Sequence, residues 1–269
     1  MAQTTGTIDF RGTKICYTKA GSGPPVVLVH GWSFNYQGWQ PQIDLLARTH
    51  TVIAYDWMGM GCSGGGERWY KFQLHLDLLD HVIKELCGGE KPIVIGHSVG
   101  STVTLAYAVQ SSNRIVAAAC ADGALPVFRT TLFAAFFNLW MVVFRNLKTI
   151  EWLITRLFFS RAWRKSDPAG LNKWRQEWET NNARRLWIAQ WIWTLRPNPR
   201  SQLGRISVPM LFINGSVDVA TPLWAMKKLH KLVPGSELAV MATGHMVYVE
   251  QPEIFNTIIE PFVRRWTKP

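Results

Sequence analysis

Pro92-Ile93-Val94-Ile95-Gly96-His97-Ser98-Val99-Gly100 is the stretch that decides the fold. An apolar run of strand length passes with almost no linker into residues 99–110, whose pattern is helical. A serine on such a strand-to-helix turn is held strained and exposed at the carboxyl edge of a parallel sheet. Glycines two before and two after it are needed, because a side chain at either position would strike the neighbouring helix or strand. The helix opening at Val99 also directs its backbone N–H groups and positive dipole end at charge developing beside Ser98.

On either side of this turn, strand and helix patterns alternate, as in a mostly parallel sheet wrapped by helices. Residues 13–19, 26–29, 51–55, 115–121, 209–213 and 237–241 read as strands. Leu74, Leu78, Val82 and Leu86 recur at helical spacing. From 123 to about 205 the alternation stops and only amphipathic helices are predicted. The chain therefore divides into a first core part, 1–122, a helical insertion, 123–205, and a second core part, 206–269.

With 269 residues, 48% of them hydrophobic, the chain buries a large core, which excludes a mostly disordered protein. Its net charge of +11 is concentrated. Residues 122–205 hold fourteen lysines and arginines against five acidic residues, a net +9, and eight of the fourteen tryptophans. Three readings of those basic residues compete: a solvated face, peripheral contact with an anionic membrane, and steering of acidic substrates. No motif supports nucleic-acid binding. The apolar run 132–144 is broken by Asn138 and stopped by Arg145, short of the roughly 20 residues a membrane span needs. The opening Met1-Ala2-Gln3-Thr4 resembles no secretory leader, so a soluble, cytoplasmic protein is expected. Cys16, Cys62, Cys87 and Cys120 lack metal-ligand spacing and are expected as free thiols.

A serine hydroxyl attacks only with a base beside it and an acid orienting that base. Of seven histidines, His245 alone combines a loop after the last strand with a flexible entry, Thr243-Gly244-His245. His75, His81 and His230 fall on helical patterns and are expected at the surface. His97 is expected to point away from Ser98, and His30 to be a packed loop residue. The acid is expected to be Asp218, after the strand at 209–213, with Asp122 at the end of the 115–121 strand as its rival.

With these residues the chain resembles an α/β-hydrolase of the capped, esterase- and lipase-like branch. Leu28-Val29-His30-Gly31-Trp32 resembles the family's oxyanion loop, and Asp56-Trp57-Met58-Gly59-Met60-Gly61-Cys62-Ser63 its D-x-x-G-x-G-x-S turn. The stretch 96–100 resembles its nucleophile elbow, and Asp218 and His245 stand where its acid and base do. The resemblance implies an eight-stranded twisted sheet with a cap inserted after the sixth strand. It also implies a catalytic triad of Ser98, His245 and Asp218, and an oxyanion hole from the backbone N–H groups of Trp32 and Val99. Asp56, Gly59, Gly61 and Ser63 are expected to be structural. No metal or organic cofactor is implied. A serine at position 98 suits attack at a carbonyl, so the expected substrate is a small hydrophobic ester or lactone. The alternatives are a C–C bond hydrolase, a cofactor-free perhydrolase or haloperoxidase-like enzyme, and a small-molecule receptor on this scaffold.

Overall fold

The computed structural model describes residues 2–65, 71–123, 147–179 and 199–267. Eight strands form one sheet: β1 (Gln3–Phe10), β2 (Thr13–Ala20), β3 (Pro25–Val29), β4 (Thr51–Tyr55), β5 (Ile93–His97), β6 (Ala117–Ala121), β7 (Met210–Gly215) and β8 (Glu237–Met241). Their spatial order is β1-β2-β4-β3-β5-β6-β7-β8. The first three in that order pair antiparallel and the rest pair parallel. Strands β3, β5, β6 and β7 are buried along their whole length, as their continuous apolar runs require. β1 escapes the sequence pattern because it is an edge strand, largely exposed, with threonines and a glycine where a half-buried strand would alternate.

Helices α1 (Gln40–Leu46), α2 (Phe72–Leu86), α3 (Val99–Gln110), α7 (Leu223–Leu232), α8 (Val247–Glu250) and α9 (Pro252–Trp266) pack about the sheet. Within 123–205, the described residues include α4 (Leu147–Phe158), α5 (Arg161–Ser166) and α6 (Pro168–Glu179). The apolar run 132–144 and four of the insertion's eight tryptophans (Trp140, Trp187, Trp191 and Trp193) lie outside the described residues. The remaining four divide cleanly. Trp163 and Trp174 are buried against Phe159 and Trp178 is buried against Trp174, while Trp152 is exposed. Among the described residues, no helix is long and apolar enough to cross a membrane.

Two expectations need correction. Cys16 and Cys62 form a disulfide, leaving Cys87 and Cys120 as buried free thiols. The cause is register: Tyr17 pairs with Tyr55, so Cys16 lies beside Asp56, and the tight turn that follows brings Cys62 back onto it. His75 is buried at 2% exposure, not at the surface. It lies on the apolar stripe of α2 and packs its ring against Trp57, with centroids 4.8 Å apart.

Candidate active site

The parallel register aligns the carboxyl ends of five strands. Val29 pairs with Gly96, His97 with Ala121, Ala121 with Ile213, and Gly215 with Met241. The segments leaving those ends carry Trp32, Ser98, Asp122, Asp218 and His245 in turn. Such a row of loops at the carboxyl edge is where open α/β sheets build sites.

Ser98 is the single residue between β5 and α3, at φ 53° and ψ −115°. A non-glycine residue held at positive φ costs about 1–3 kcal/mol, which the surrounding packing must offset. That packing is tight. A Cβ on Gly96 would collide with the Gly100 carbonyl and the Thr104 hydroxyl, and one on Gly100 with the carbonyls of Val29 and His30. Only glycine lets the helix come this close to the strands.

His245 Nε2 lies 2.8 Å from Ser98 Oγ, and His245 Nδ1 lies 2.8 Å from Asp218 Oδ2. Asp218 accepts no other arrangement easily. Its Oδ1 receives the N–H groups of Ala220 at 2.8 Å and Thr221 at 2.9 Å, and its Oδ2 faces the Thr221 hydroxyl. That hydroxyl also lies 2.9 Å from the Asp122 carbonyl, so its one proton serves either acceptor. These partners place the His245 proton on Nδ1, toward the carboxylate, and leave the Nε2 lone pair toward Ser98.

Asp122 is placed differently from Asp218. Its carboxylate receives the N–H groups of Gly215 at 2.9 Å and Val247 at 3.2 Å, tying the loops that carry Asp218 and His245. Burial, and then repulsion from Asp218, raise its pKa well above the usual carboxylate range. His97 lies beside Asp122. Its ring is directed beneath the site, donating Nε2–H to the His245 carbonyl at 2.8 Å, with Asp122 Oδ2 3.6 Å away. Burial, reinforced by the nearby His245, lowers its pKa well below the ordinary histidine value, so it is neutral. His97, Asp122 and His245 place ligand-type atoms within 4.8 Å of one another. The hydrogen bonds above already engage those atoms and account for the cluster. The Cys16 and Cys62 sulfurs, grouped likewise with Asp56, are bonded to each other.

Gly31 and Trp32 close one side. A Cβ on Gly31 would stand 3.1 Å from the Ser98 Cβ, so Trp32 follows directly beside the serine. Val99 opens α3 on the other side, among the helix N–H groups that lack intrahelical acceptors. The Trp32 indole packs edge-on against Phe158 and Trp178, with centroids 6.3 and 5.7 Å away, and Phe158 lies 5.0 Å from the His245 ring. The insertion thus supplies an aromatic wall over the histidine. His30 is buried and holds its loop, donating Nδ1–H to Gly31 O at 2.8 Å and accepting the Trp57 N–H at 3.2 Å. Asp56 receives the N–H groups of Tyr36 and Cys62, and Ser63 Oγ bridges Cys16 N and Asp56 O, a structural knot that needs no substrate.

Sequence reasoning missed Glu250 and Thr221. Glu250 is a carboxylate closing the apolar stretch Val247-Tyr248-Val249, and its position beside aliphatic neighbours was the available signal. Thr221 gave none, because its contacts come from chain folding alone.

Comparison with known proteins places this geometry in context. The family model of the alpha/beta hydrolase fold matches residues 24–252. The chain is 26% identical over 262 residues to a pimeloyl-[acyl-carrier protein] methyl ester esterase of Legionella pneumophila, covering 91% of this chain and 98% of the relative. It is 26% identical over 282 residues to a 2-hydroxy-6-oxo-6-(2'-aminophenyl)hexa-2,4-dienoic acid hydrolase of Metapseudomonas resinovorans, covering 96% and 90%. Among solved structures, the enol-lactonase of Burkholderia xenovorans superposes with a TM-score of 0.84 at 20% identity, covering 96% and 99%.

Proposed function

We propose a function from one premise: the chain belongs to the α/β-hydrolase fold family. On it, the protein is a serine hydrolase that cleaves a small hydrophobic carboxylic ester or lactone through an acyl-enzyme. The observation that carries this reading is the line from Ser98 through His245 to Asp218, with 2.8 Å at each step. Ser98 Oγ attacks the carbonyl carbon while its proton passes to His245 Nε2. Asp218 holds the Nδ1–H and stabilises the imidazolium that forms. The carbonyl oxygen, now an oxyanion, is held by the backbone N–H groups of Trp32 and Val99. Losing one such donor typically costs about 3 kcal/mol of transition-state stabilisation. His245 then protonates the leaving alcohol, and water repeats the sequence to release the acid.

The aromatic wall of Trp32, Phe158 and Trp178 favours an apolar acyl or alcohol part over a charged one. The likeness to a methyl ester esterase supports ester cleavage. The likeness to a dienoic acid hydrolase favours a second reading, cleavage of a C–C bond next to a ketone by the same three residues. The test is a fluorophosphonate probe followed by a substrate panel. The probe should label the protein once, at Ser98, and Ser98→Ala should abolish labelling and lower ester turnover by several orders of magnitude. Labelling that persists in the alanine variant overturns the reading. Faster turnover of a β-diketone than of any ester moves it to C–C hydrolysis. A single cleavage followed by stalling moves it to a receptor.

We also propose that the insertion makes peripheral contact with anionic membrane. Trp152 is 54% exposed, with the Arg156 guanidinium stacked 3.9 Å above its ring. Arg161 and Lys165 are exposed nearby along the chain, and among the described residues Arg156, Arg161 and Arg164 form no ion pair. Burial, and then the like charges of Arg156 and Arg161, lower the Arg164 pKa against the opposing pull of Glu250.

A further inference from the structure

Glu250 closes α8 and is 7% exposed. Its Oε1 accepts two backbone N–H groups at 3.0 Å each. One belongs to Ser160, in the insertion; the other belongs to Gly244, the residue before His245. The N–H of His245 itself donates to the Phe158 carbonyl at 2.7 Å. Residues 158–160 therefore grip the histidine segment from both sides of one peptide. The approach leaves no slack: a Cβ on Gly244 would stand 2.7 Å from both the Phe158 carbonyl oxygen and the Ser160 nitrogen.

A buried carboxylate is costly, and this one bears the cost visibly. Burial raises its pKa against the pull of the Ser160 and Gly244 donors, and its Oε2 has no partner among the described residues. A carboxyl group kept in such a place is explained by what its two backbone bonds hold together. Here they join the insertion to the segment carrying the histidine. Phe158 rides on the same joint, with its ring 5.0 Å from His245 and 6.3 Å from Trp32.

We infer that Glu250 is a positioning residue that locks His245 and the aromatic wall of the insertion into one unit, so that the base and the acyl-facing wall keep a fixed distance. The inference rests on His245 acting as the base. If the joint loosens, His245 Nε2 drifts from Ser98 Oγ and the Phe158 wall moves with it, so kcat falls and selectivity among acyl groups flattens together. An ordinary structural residue would lower the folded fraction and leave each folded site as fast as before.

The experiment compares Glu250→Ala with Glu250→Gln, each against active sites titrated with a fluorophosphonate. The amide oxygen of glutamine can accept the same two N–H groups. In Glu250→Ala, kcat per titrated site should fall on the order of tenfold to a hundredfold, as expected for a displaced catalytic group. Glu250→Gln should recover it to within a few-fold. Amide hydrogen exchange, run in a Ser98→Ala background so that turnover plays no part, should show peptides covering 158–164 and 243–250 loosening together in Glu250→Ala and not in Glu250→Gln. Wild-type kcat per site in Glu250→Ala, or equal damage in both variants, overturns the inference. So does exchange that rises in one segment alone. A wild-type protein that the probe fails to label at Ser98 sinks the hydrolase reading instead, and the exchange result still judges the joint.

Discussion

Asp122 receives the backbone N–H of Val247 at 3.2 Å, although the two residues lie 125 positions apart. With its bond to Gly215, this makes Asp122 a staple between the loops that present Asp218 and His245. Two acids thus stand at adjacent strand ends, and only one reaches the imidazole.

That division predicts opposite outcomes for two isosteric changes. Asp218→Asn places an amide where Nδ1–H needs an acceptor and should lower kcat by about four orders of magnitude with little change in stability. Asp122→Asn loses one of its two accepted N–H groups and should cost about 1–3 kcal/mol of stability while kcat falls less than about tenfold. Steady-state kinetics with urea unfolding of both variants decides it. The reverse kinetic order would move the acid to Asp122.

The disulfide predicts a thiol count. Unfolded without reductant, the protein should react with two equivalents of a maleimide, at Cys87 and Cys120; after reduction it should react with four. Closing a loop with 46 residues of sequence separation limits the unfolded chain by up to about 4 kcal/mol. Reduction should therefore lower the urea midpoint. Four reactive thiols before reduction would return Cys16 and Cys62 to the free state.

Much of this was legible in the chain because the parallel strands are buried on both faces and announce themselves as apolar runs. The elbow was legible for a sharper reason: Ser98 needs Gly96 and Gly100, and the collisions that a Cβ would cause at both explain the spacing. What stayed hidden depends on partners distant in sequence. The sequence favours Asp218 over Asp122 by position alone, and the contacts of the 216–221 turn that set its carboxylate against His245 are not visible there. His75 looked like a surface residue, yet Phe72, His75, Leu76, Leu79, Val82, Ile83 and Leu86 trace one buried stripe that the four-residue spacing alone did not reveal. Glu250 carries no sequence reading at all, because its bonds to the N–H groups of Ser160 and Gly244 exist only in the fold.

His30 predicts an acid limb of stability. Burial lowers its pKa to about 4, opposed by its bond to Gly31 and aided by His75. A proton on Nε2 would confront the Trp57 N–H that this atom accepts. An unfolded histidine binds its proton near pH 6.5, so the stability from neutral burial is complete above that value and is lost as pH falls toward 4. The loss reaches about 3 kcal/mol for this group. Asp56, raised to about 6 mainly by burial, runs the other way: its contribution is present at low pH and lost as pH rises through 6. The total curve therefore mixes signs, and the variant isolates one of them. In His30→Gln, which keeps an acceptor for Trp57, the gap to wild type should narrow by about 3 kcal/mol between pH 7 and pH 4. A constant gap across that range would mean that His30 titrates normally.

The insertion yields the prediction that separates a solvated basic face from a membrane-docking one. Trp152 shows about half its surface, and an exposed indole gains free energy at a lipid headgroup boundary that water does not offer it. Arg156 is stacked over that ring, so one docking event would place the aromatic ring and the charge at the same depth. Each basic residue near an anionic surface contributes about 1 kcal/mol, and the effect extends only over a Debye length. Co-sedimentation with phosphatidylserine-containing vesicles should therefore be strong at low salt, weaken sharply by physiological salt, and vanish with purely zwitterionic lipid. Changing Arg156 and Arg161 together to alanine should reduce binding by roughly thirtyfold, the equivalent of two such contributions. Trp152→Ala should weaken it further while leaving the salt dependence intact, because the indole acts by burial and the arginines by charge. The double arginine variant should keep wild-type turnover of a water-soluble ester, since neither side chain touches the Ser98 line. Protein that stays in the supernatant at low salt, or binding that ignores both sets of substitutions, would leave the charge of the insertion as a solvated surface.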